Sequence, residues 1–228
     1  MSGMCLKNFL PVLFLSIVCV ACARKVSPPI EQTLAKLDRG KPITIVALGD
    51  SVTYGYGVQD GYVAKWKRLL EQEFPQATIS MINAGVSGDT SAMGLERLGR
   101  DVVSKSPDLI TVCFGLNDMK IQMPLEEFRA NMVEIANRLK QETSAEIWFL
   151  TTNPTYQPPG NYLASKYNQA TREVAKAEKI GLIDIWKAWK KHYDGNAPGS
   201  DLLLDIAHPT EKGHEIIATG LIKPFKRR

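Results

Sequence analysis

The sequence predicts an α/β protein, a three-layer α/β/α sandwich built around a mostly parallel five-stranded sheet. Three observations carry the prediction. The chain has 228 residues, 44% hydrophobic and 23% charged, which is enough to bury one substantial core in a single domain. Apolar runs of strand length alternate about five times with longer stretches of helical period. No internal repeat, low-complexity tract or second domain boundary interrupts that alternation. Parallel strands need crossover connections, and a sheet connected in this way has helices on both faces.

Residues 1–23 differ from everything after them. Lys7 precedes the apolar stretch Phe9 to Val20, which falls short of the about 20 residues that span a bilayer but suits the hydrophobic region of a secretory leader. Ala21-Cys22-Ala23 allows ordinary removal after Ala23. Cys19-Val20-Ala21-Cys22 resembles a bacterial lipobox, with Cys22 as the lipid-modified first residue, although Cys19 stands where Leu is usual; this reading is slightly preferred. Residues 24–41, polar with Pro28-Pro29 and Gly40, read as a tether carrying a helical turn or two, and residues 42–228 as the folded domain. Within the domain ITIVAL precedes the helical GYVAKWKRLLEQEF, and TISMIN precedes SAMGLERLGRDVV. LITVCF precedes PLEEFRANMVEIANRLKQE, EIWFLT precedes YLASKYNQATREVAKAEK, and GLIDI is followed by helices to the end.

Charge and cysteine usage exclude several classes. The net charge is +4, one unit of which is Lys7 in the leader, and no dense basic stripe interleaved with aromatics marks a nucleic-acid surface. The run Lys223, Lys226, Arg227 and Arg228 reads as a solvated end. Cys5, Cys19 and Cys22 lie in the leader, so Cys113 has no internal disulfide partner and reads as a small buried hydrophobe. Outside the leader there is no CxxC or HxxxH spacing for a metal, and GDSVTYGYG lacks the GxxxxGK[ST] of a phosphate-cradling loop. Neither metal nor cofactor is expected.

In a parallel sheet of this kind, ligands gather where the carboxyl ends of the strands meet the loops. The segments there are Gly49-Asp50-Ser51, Asn83 to Asp89, Gly115-Leu116-Asn117-Asp118 and Thr151-Thr152-Asn153-Pro154, with Asp205-Ile206-Ala207-His208-Pro209 ahead of the last helix. Acyl transfer from an ester needs a hydroxyl, a histidine to take its proton, a carboxylate to fix the histidine tautomer, and fixed donors for the oxyanion. The chain offers one candidate for each job. Ser51 is the hydroxyl, His208 the base and Asp205 the orienting carboxylate; the donors are the backbone N–H groups of Ser51 and Gly88 and the side-chain amide of Asn117. Asp205 and His208, three apart before a helix, can fold back on each other.

These blocks resemble the SGNH hydrolases, also called the GDSL esterase/lipase family. Its blocks stand here as Gly49-Asp50-Ser51-Val52-Thr53-Tyr54-Gly55, Gly85-Val86-Ser87-Gly88-Asp89-Thr90, Gly115-Leu116-Asn117-Asp118 and Asp205-Ile206-Ala207-His208-Pro209. The four letters of the family name fall on Ser51, Gly88, Asn117 and His208, and the match runs from Ile43 to about Ile222. Val52 replaces the usual Leu, and Leu116 puts an apolar side chain where many members have Gly or Thr. The resemblance implies a flavodoxin-like fold, an acyl-enzyme mechanism, and a serine on a loop in a more open site than the GxSxG elbow makes.

The remaining candidates read as support. Asp50 braces the loop, Asp89 and Asp118 form loops, and Gly55 and Gly57 meet unusual backbone angles. His192 reads as an exposed helix end, and His214 as a surface or supporting residue of the last helix. The loop Thr151 to Tyr162, with Tyr54 and Tyr56, should overhang the site. The expectation is an exported, monomeric serine esterase for short-chain or acetyl esters of carbohydrate or cell envelope, periplasmic, secreted or anchored through Cys22. A lysophospholipase or thioesterase preferring longer acyl chains is the alternative. A non-catalytic binding protein would have lost Ser51, Asp205 or His208, and all three are present.

Overall fold

The computed structural model describes residues 30–156, 158–192 and 201–226. The leader, the two cleavage readings at Ala23 and Cys22, and Arg227 and Arg228 lie outside the described residues. Five strands form one sheet: β1 Ile43–Gly49, β2 Ile79–Gly85, β3 Leu109–Cys113, β4 Glu146–Leu150 and β5 Gly181–Ile183. Their order is β2-β1-β3-β4-β5 and every pairing is parallel. This is the doubly wound order in which the crevice between β1 and β3 is the switch point. Gly49 pairs with both Gly85 and Cys113, so three strands end level and release their loops together.

Alternation along each central strand makes the three layers. Ile43, Ile45 and Ala47 of β1 face one core with Trp148 and Leu150 of β4, while Val46, Leu48, Ile147 and Phe149 face the other. Helices α1 Glu31–Asp38, α3 Tyr62–Glu73, α9 Ile185–Trp189 and α10 Glu211–Ile222 cover the first face. Here Trp66, Trp148 and Phe225 pack at centroid distances of 5.5 to 6.3 Å, each such ring contributing roughly 0.5–1.5 kcal/mol per pair beyond its buried area. Helices α4 Ser91–Glu96, α5 Leu98–Asp101, α7 Leu125–Glu142 and α8 Pro158–Ala177 cover the second, through Leu98, Phe128, Met132, Tyr167 and Val174. Two short helices, α2 Ser51–Tyr54 and α6 Leu116–Lys120, follow β1 and β3 at the carboxyl edge.

The boundaries differ from the sequence expectations in four places, each for a local reason. The folded body begins before Pro42: Leu37 of α1 is fully buried, and the Glu146 carboxylate accepts from the N–H groups of Gln32 and Thr33 at 3.0 and 2.9 Å. A carboxylate at a helix N-terminus satisfies donors that the helix itself cannot. SAMGLERLGRDVV is not one helix, because the chain turns at Arg97 between α4 and α5 and ends in a 3-10 turn over Val103–Lys105. GLIDI stops being a strand at Ile183, since the Asp184 side chain caps α9 by accepting from Lys187 N–H at 3.0 Å. Helix α8 starts at Pro158, so the segment after β4 is shorter than Thr151 to Tyr162. Cys113 is a buried free thiol whose pKa burial pushes well up. Among the described residues no helix is long and apolar enough to cross a membrane.

Candidate active site

The site begins where β1 ends. A Cβ on Gly49 would lie 2.2 Å from Thr53 Oγ1 and 2.7 Å from the Cys113 carbonyl, so only glycine lets α2 turn back against the strand end. Asp50 caps that turn, its Oδ1 accepting from Val52 N–H at 2.9 Å. Ser51 is therefore the first residue of a one-turn helix, not a residue of an open loop, and its N–H belongs to the group of helix-start donors that have no intrahelical partner.

The DxxH segment approaches from the other end of the chain, in the loop closed by the bridge between Leu203 and Pro209 just ahead of α10. His208 Nε2 lies 2.9 Å from Ser51 Oγ, and His208 Nδ1 lies 2.7 Å from Asp205 Oδ2. The other Asp205 oxygen accepts from the N–H groups of Ala207 and His208 at 2.9 and 2.8 Å. Partial burial pushes the Asp205 carboxyl up, but these two N–H bonds and the imidazole outweigh it and hold the pKa below the usual carboxylate value. Tyr56 lies over the imidazole, with ring centroids 4.5 Å apart. Hydroxyl, imidazole and carboxylate stand in one hydrogen-bonded series, which can move a proton from serine to histidine with the ring held in one tautomer.

The expected oxyanion donors besides Ser51 stand after β2 and β3. Gly88 has φ +90°, yet a Cβ there would meet nothing within 4 Å, so backbone conformation and not space demands glycine. Its neighbour Asp89 gives its carbonyl to Asn117 Nδ2 at 2.9 Å, leaving the second amide hydrogen of Asn117 for another acceptor. Asp118 ties the same turn to α4, its Oδ1 accepting from Ser91 N–H and Oγ–H at 2.9 and 2.6 Å. A cavity of about 390 Å³ opens beside Ser51, with Asn117, Asp205 and His208 in its lining and Leu116, Met119 and Ile206 supplying apolar wall. Gly88 is exposed and outside that lining.

Two buried groups were not legible as such. Burial raises Asp50 to about 7, opposed by the Val52 N–H bond, and leaves Asp50 Oδ2 without a protein partner. His214, read as a surface or supporting residue, is fully buried: Nδ1 accepts from Tyr62 N–H at 3.1 Å, and burial lowers its pKa to about 4. Thr155 falls in the loop expected to overhang the site and Ile206 in the DxxH block, whereas the sequence reading has no role for Arg97 and Met119, although Arg97 lies eight residues after Asp89 and pairs with it. His192 is exposed just beyond α9. Among the described residues no group of three or more His, Cys, Asp or Glu side chains converges as a metal site would require.

Residues 47–216 match the model of the GDSL-like lipase/acylhydrolase family. An acetylxylan esterase of Geobacillus stearothermophilus is 24% identical over 178 residues, covering 72% of this chain and 80% of that protein. An uncharacterised lipoprotein of Bacillus subtilis, YqeF, is 26% identical, covering 78% and 87% of the two chains, and the esterase TesA of Pseudomonas aeruginosa is 29% identical, covering 63% and 70%. The structure of the acetylxylan esterase Axe2 from Geobacillus stearothermophilus superposes with a TM-score of 0.72 at 22% identity, covering 82% of this chain and 95% of that one. Catalytic mutants of that esterase have been solved at a serine, an aspartate and a histidine, the last two three positions apart.

Proposed function

The chain belongs to the GDSL-like lipase/acylhydrolase family and is a carboxylic ester hydrolase; within that class we propose an exported serine esterase that removes short acyl groups, acetyl above all, from carbohydrate or cell-envelope esters. The observation that carries the catalytic part is the series from Ser51 Oγ to His208 to Asp205 at 2.9 and 2.7 Å. His208 Nε2 takes the Ser51 proton as Oγ attacks the ester carbonyl carbon. The oxyanion meets the N–H groups of Ser51 and Gly88 and the free amide hydrogen of Asn117. His208 then hands its proton to the leaving alcohol, and a water deprotonated by the same nitrogen releases the acyl group from Ser51. Asp205 keeps Nδ1 protonated throughout. The same residue types, with the same aspartate-to-histidine spacing, are the catalytic mutation sites named for the acetylxylan esterase.

Short acyl groups on a glycan are supported by the exposed tyrosines of the loops around the site, Tyr54, Tyr56 and Tyr156, whose faces suit sugar rings, and by the substrate named for that relative. A second reading, longer acyl chains, is favoured by the apolar wall of Leu116, Met119 and Ile206. Export rests on the leader-like residues 1–23 and is supported by the lipoprotein relative. Hydrolysis of p-nitrophenyl esters from acetate to decanoate, with the Ser51→Ala rate subtracted at each length, tests the whole. A Ser51-dependent rate peaking at acetate is expected. A peak at the long end would replace the first reading with the second, and no Ser51-dependent rate at any length would remove both.

A further inference from the structure

Resting on that reading, we infer that Arg97 is the positioning residue of the oxyanion hole. It sits at the break between α4 and α5, its side chain 8% exposed, and it does not line the cavity. Every arm of its guanidinium is committed. Nε donates to Asp89 Oδ2 at 2.6 Å, and Nη2 to the Gly49 carbonyl at 3.0 Å. Nη1 donates to the Ala84 carbonyl at 2.8 Å and to Asp101 Oδ2 at 3.1 Å. The carbonyls belong to the ends of β1 and β2, so the fork fastens the Asp89 turn to the strand end that carries Ser51.

Asp89 is the link to both remaining donors. It follows Gly88 directly, and its carbonyl holds the Asn117 amide at 2.9 Å. One buried cation thereby sets where two donors point before substrate arrives, which is the preorganisation that oxyanion stabilisation depends on. Lysine cannot replace it, because a single ammonium cannot reach four separate acceptors spread around a guanidinium fork. A purely structural arginine would affect melting alone, whereas a positioning arginine affects kcat at unchanged KM.

The experiment compares wild type, Arg97→Lys, Asp89→Asn and the exposed control Arg39→Ala for kcat, KM, melting, and affinity for an alkylboronic acid, whose serine adduct is tetrahedral. Arg97→Lys and Asp89→Asn are each expected to lower kcat about tenfold or more, short of the about 10²–10³ for losing a donor outright. The boronate should weaken by the same factor and KM should stay within about twofold. Arg39→Ala should match wild type. If Arg97→Lys does not fold, Asp89→Asn, which takes the charge out of the bond to Arg97 Nε at little change in shape, decides the matter. Folded variants with kcat and boronate affinity within about twofold of wild type would overturn the inference. Wild-type turnover surviving in Ser51→Ala would instead overturn the reading beneath it.

Discussion

The two groups of residues assigned to the chemistry of Ser51 are held in opposite ways. On the Gly88 and Asn117 side, Asp89 and Asp118 are buried and bonded to Arg97, Ser91 and Asn117, partners in the α4–α5 break, α4 and α6. On the His208 side, the Asp205 side chain is 49% exposed and its bonds stay within its own segment. That segment is tied down from outside chiefly through backbone, by Asn153 Nδ2 to the Ala207 carbonyl at 2.9 Å and Tyr156 N–H to the Ile206 carbonyl at 2.7 Å. The contrast matches what each side does in the proposed reaction. A developing oxyanion is stabilised by donors that do not reorganise, whereas a proton carrier must also meet the water that ends the cycle.

Variants on each side can break this contrast or sharpen it. The largest effect is at the meeting point: Ser51→Ala and His208→Ala should each lower kcat by about 10⁴ or more, with little change in melting temperature. Asn117→Ala should lower kcat by about 10²–10³ with KM nearly unchanged, as loss of a fixed donor does. Asp205→Asn should cost less than His208→Ala, because its amide oxygen still accepts from Ala207 and His208 N–H and keeps the imidazole in place while its NH2 disfavours the working tautomer. Steady-state kinetics of these two variants side by side would contradict that role if Asp205→Asn proved the more damaging.

The smallest effect is on stability against pH, where each side contributes one buried group. Asp50, at about 7 in the fold against an ordinary 3.8, keeps a proton that the unfolded chain gives up, so its contribution falls as pH rises through that window. His214, at about 4 against an ordinary 6.5, refuses a proton that the unfolded chain takes, so its contribution falls as pH drops through that window. The two slopes oppose each other where the windows overlap. Relative to wild type, Asp50→Asn should make stability climb with pH there, by at most about 1.4 kcal/mol per pH unit, and His214→Gln should make it decline. Urea denaturation at three pH values within the overlap measures both, and slopes equal to wild type would contradict the assignment.

What could be read from the sequence follows the range of the interactions involved. Ser51, Asn117 and His208 stood out because each sits in a short pattern at a strand end or before a helix, and the strand order then carries them together. The roles of Arg97 and Glu146 were hidden because their partners are distant: Arg97 meets Gly49, 48 residues back, and Glu146 meets Thr33, 113 residues back. Residues 31–38 therefore looked like tether, since nothing local shows the carboxylate waiting for their N-terminus. GLIDI read as strand throughout because Asp184 becomes a cap only in the presence of α9. His214 lies in a helix of mixed pattern, and its burial comes from packing of α10 on α3.

The central claim is that Ser51 carries the acyl group. Its most direct test is to mix the protein with p-nitrophenyl acetate, quench in acid within the first turnovers, and map the acetylated peptide by mass spectrometry. The account predicts one acetyl group on the peptide containing Ser51, formed as a burst and absent from Ser51→Ala. Acetyl on another residue, or turnover in Ser51→Ala equal to wild type, would contradict it.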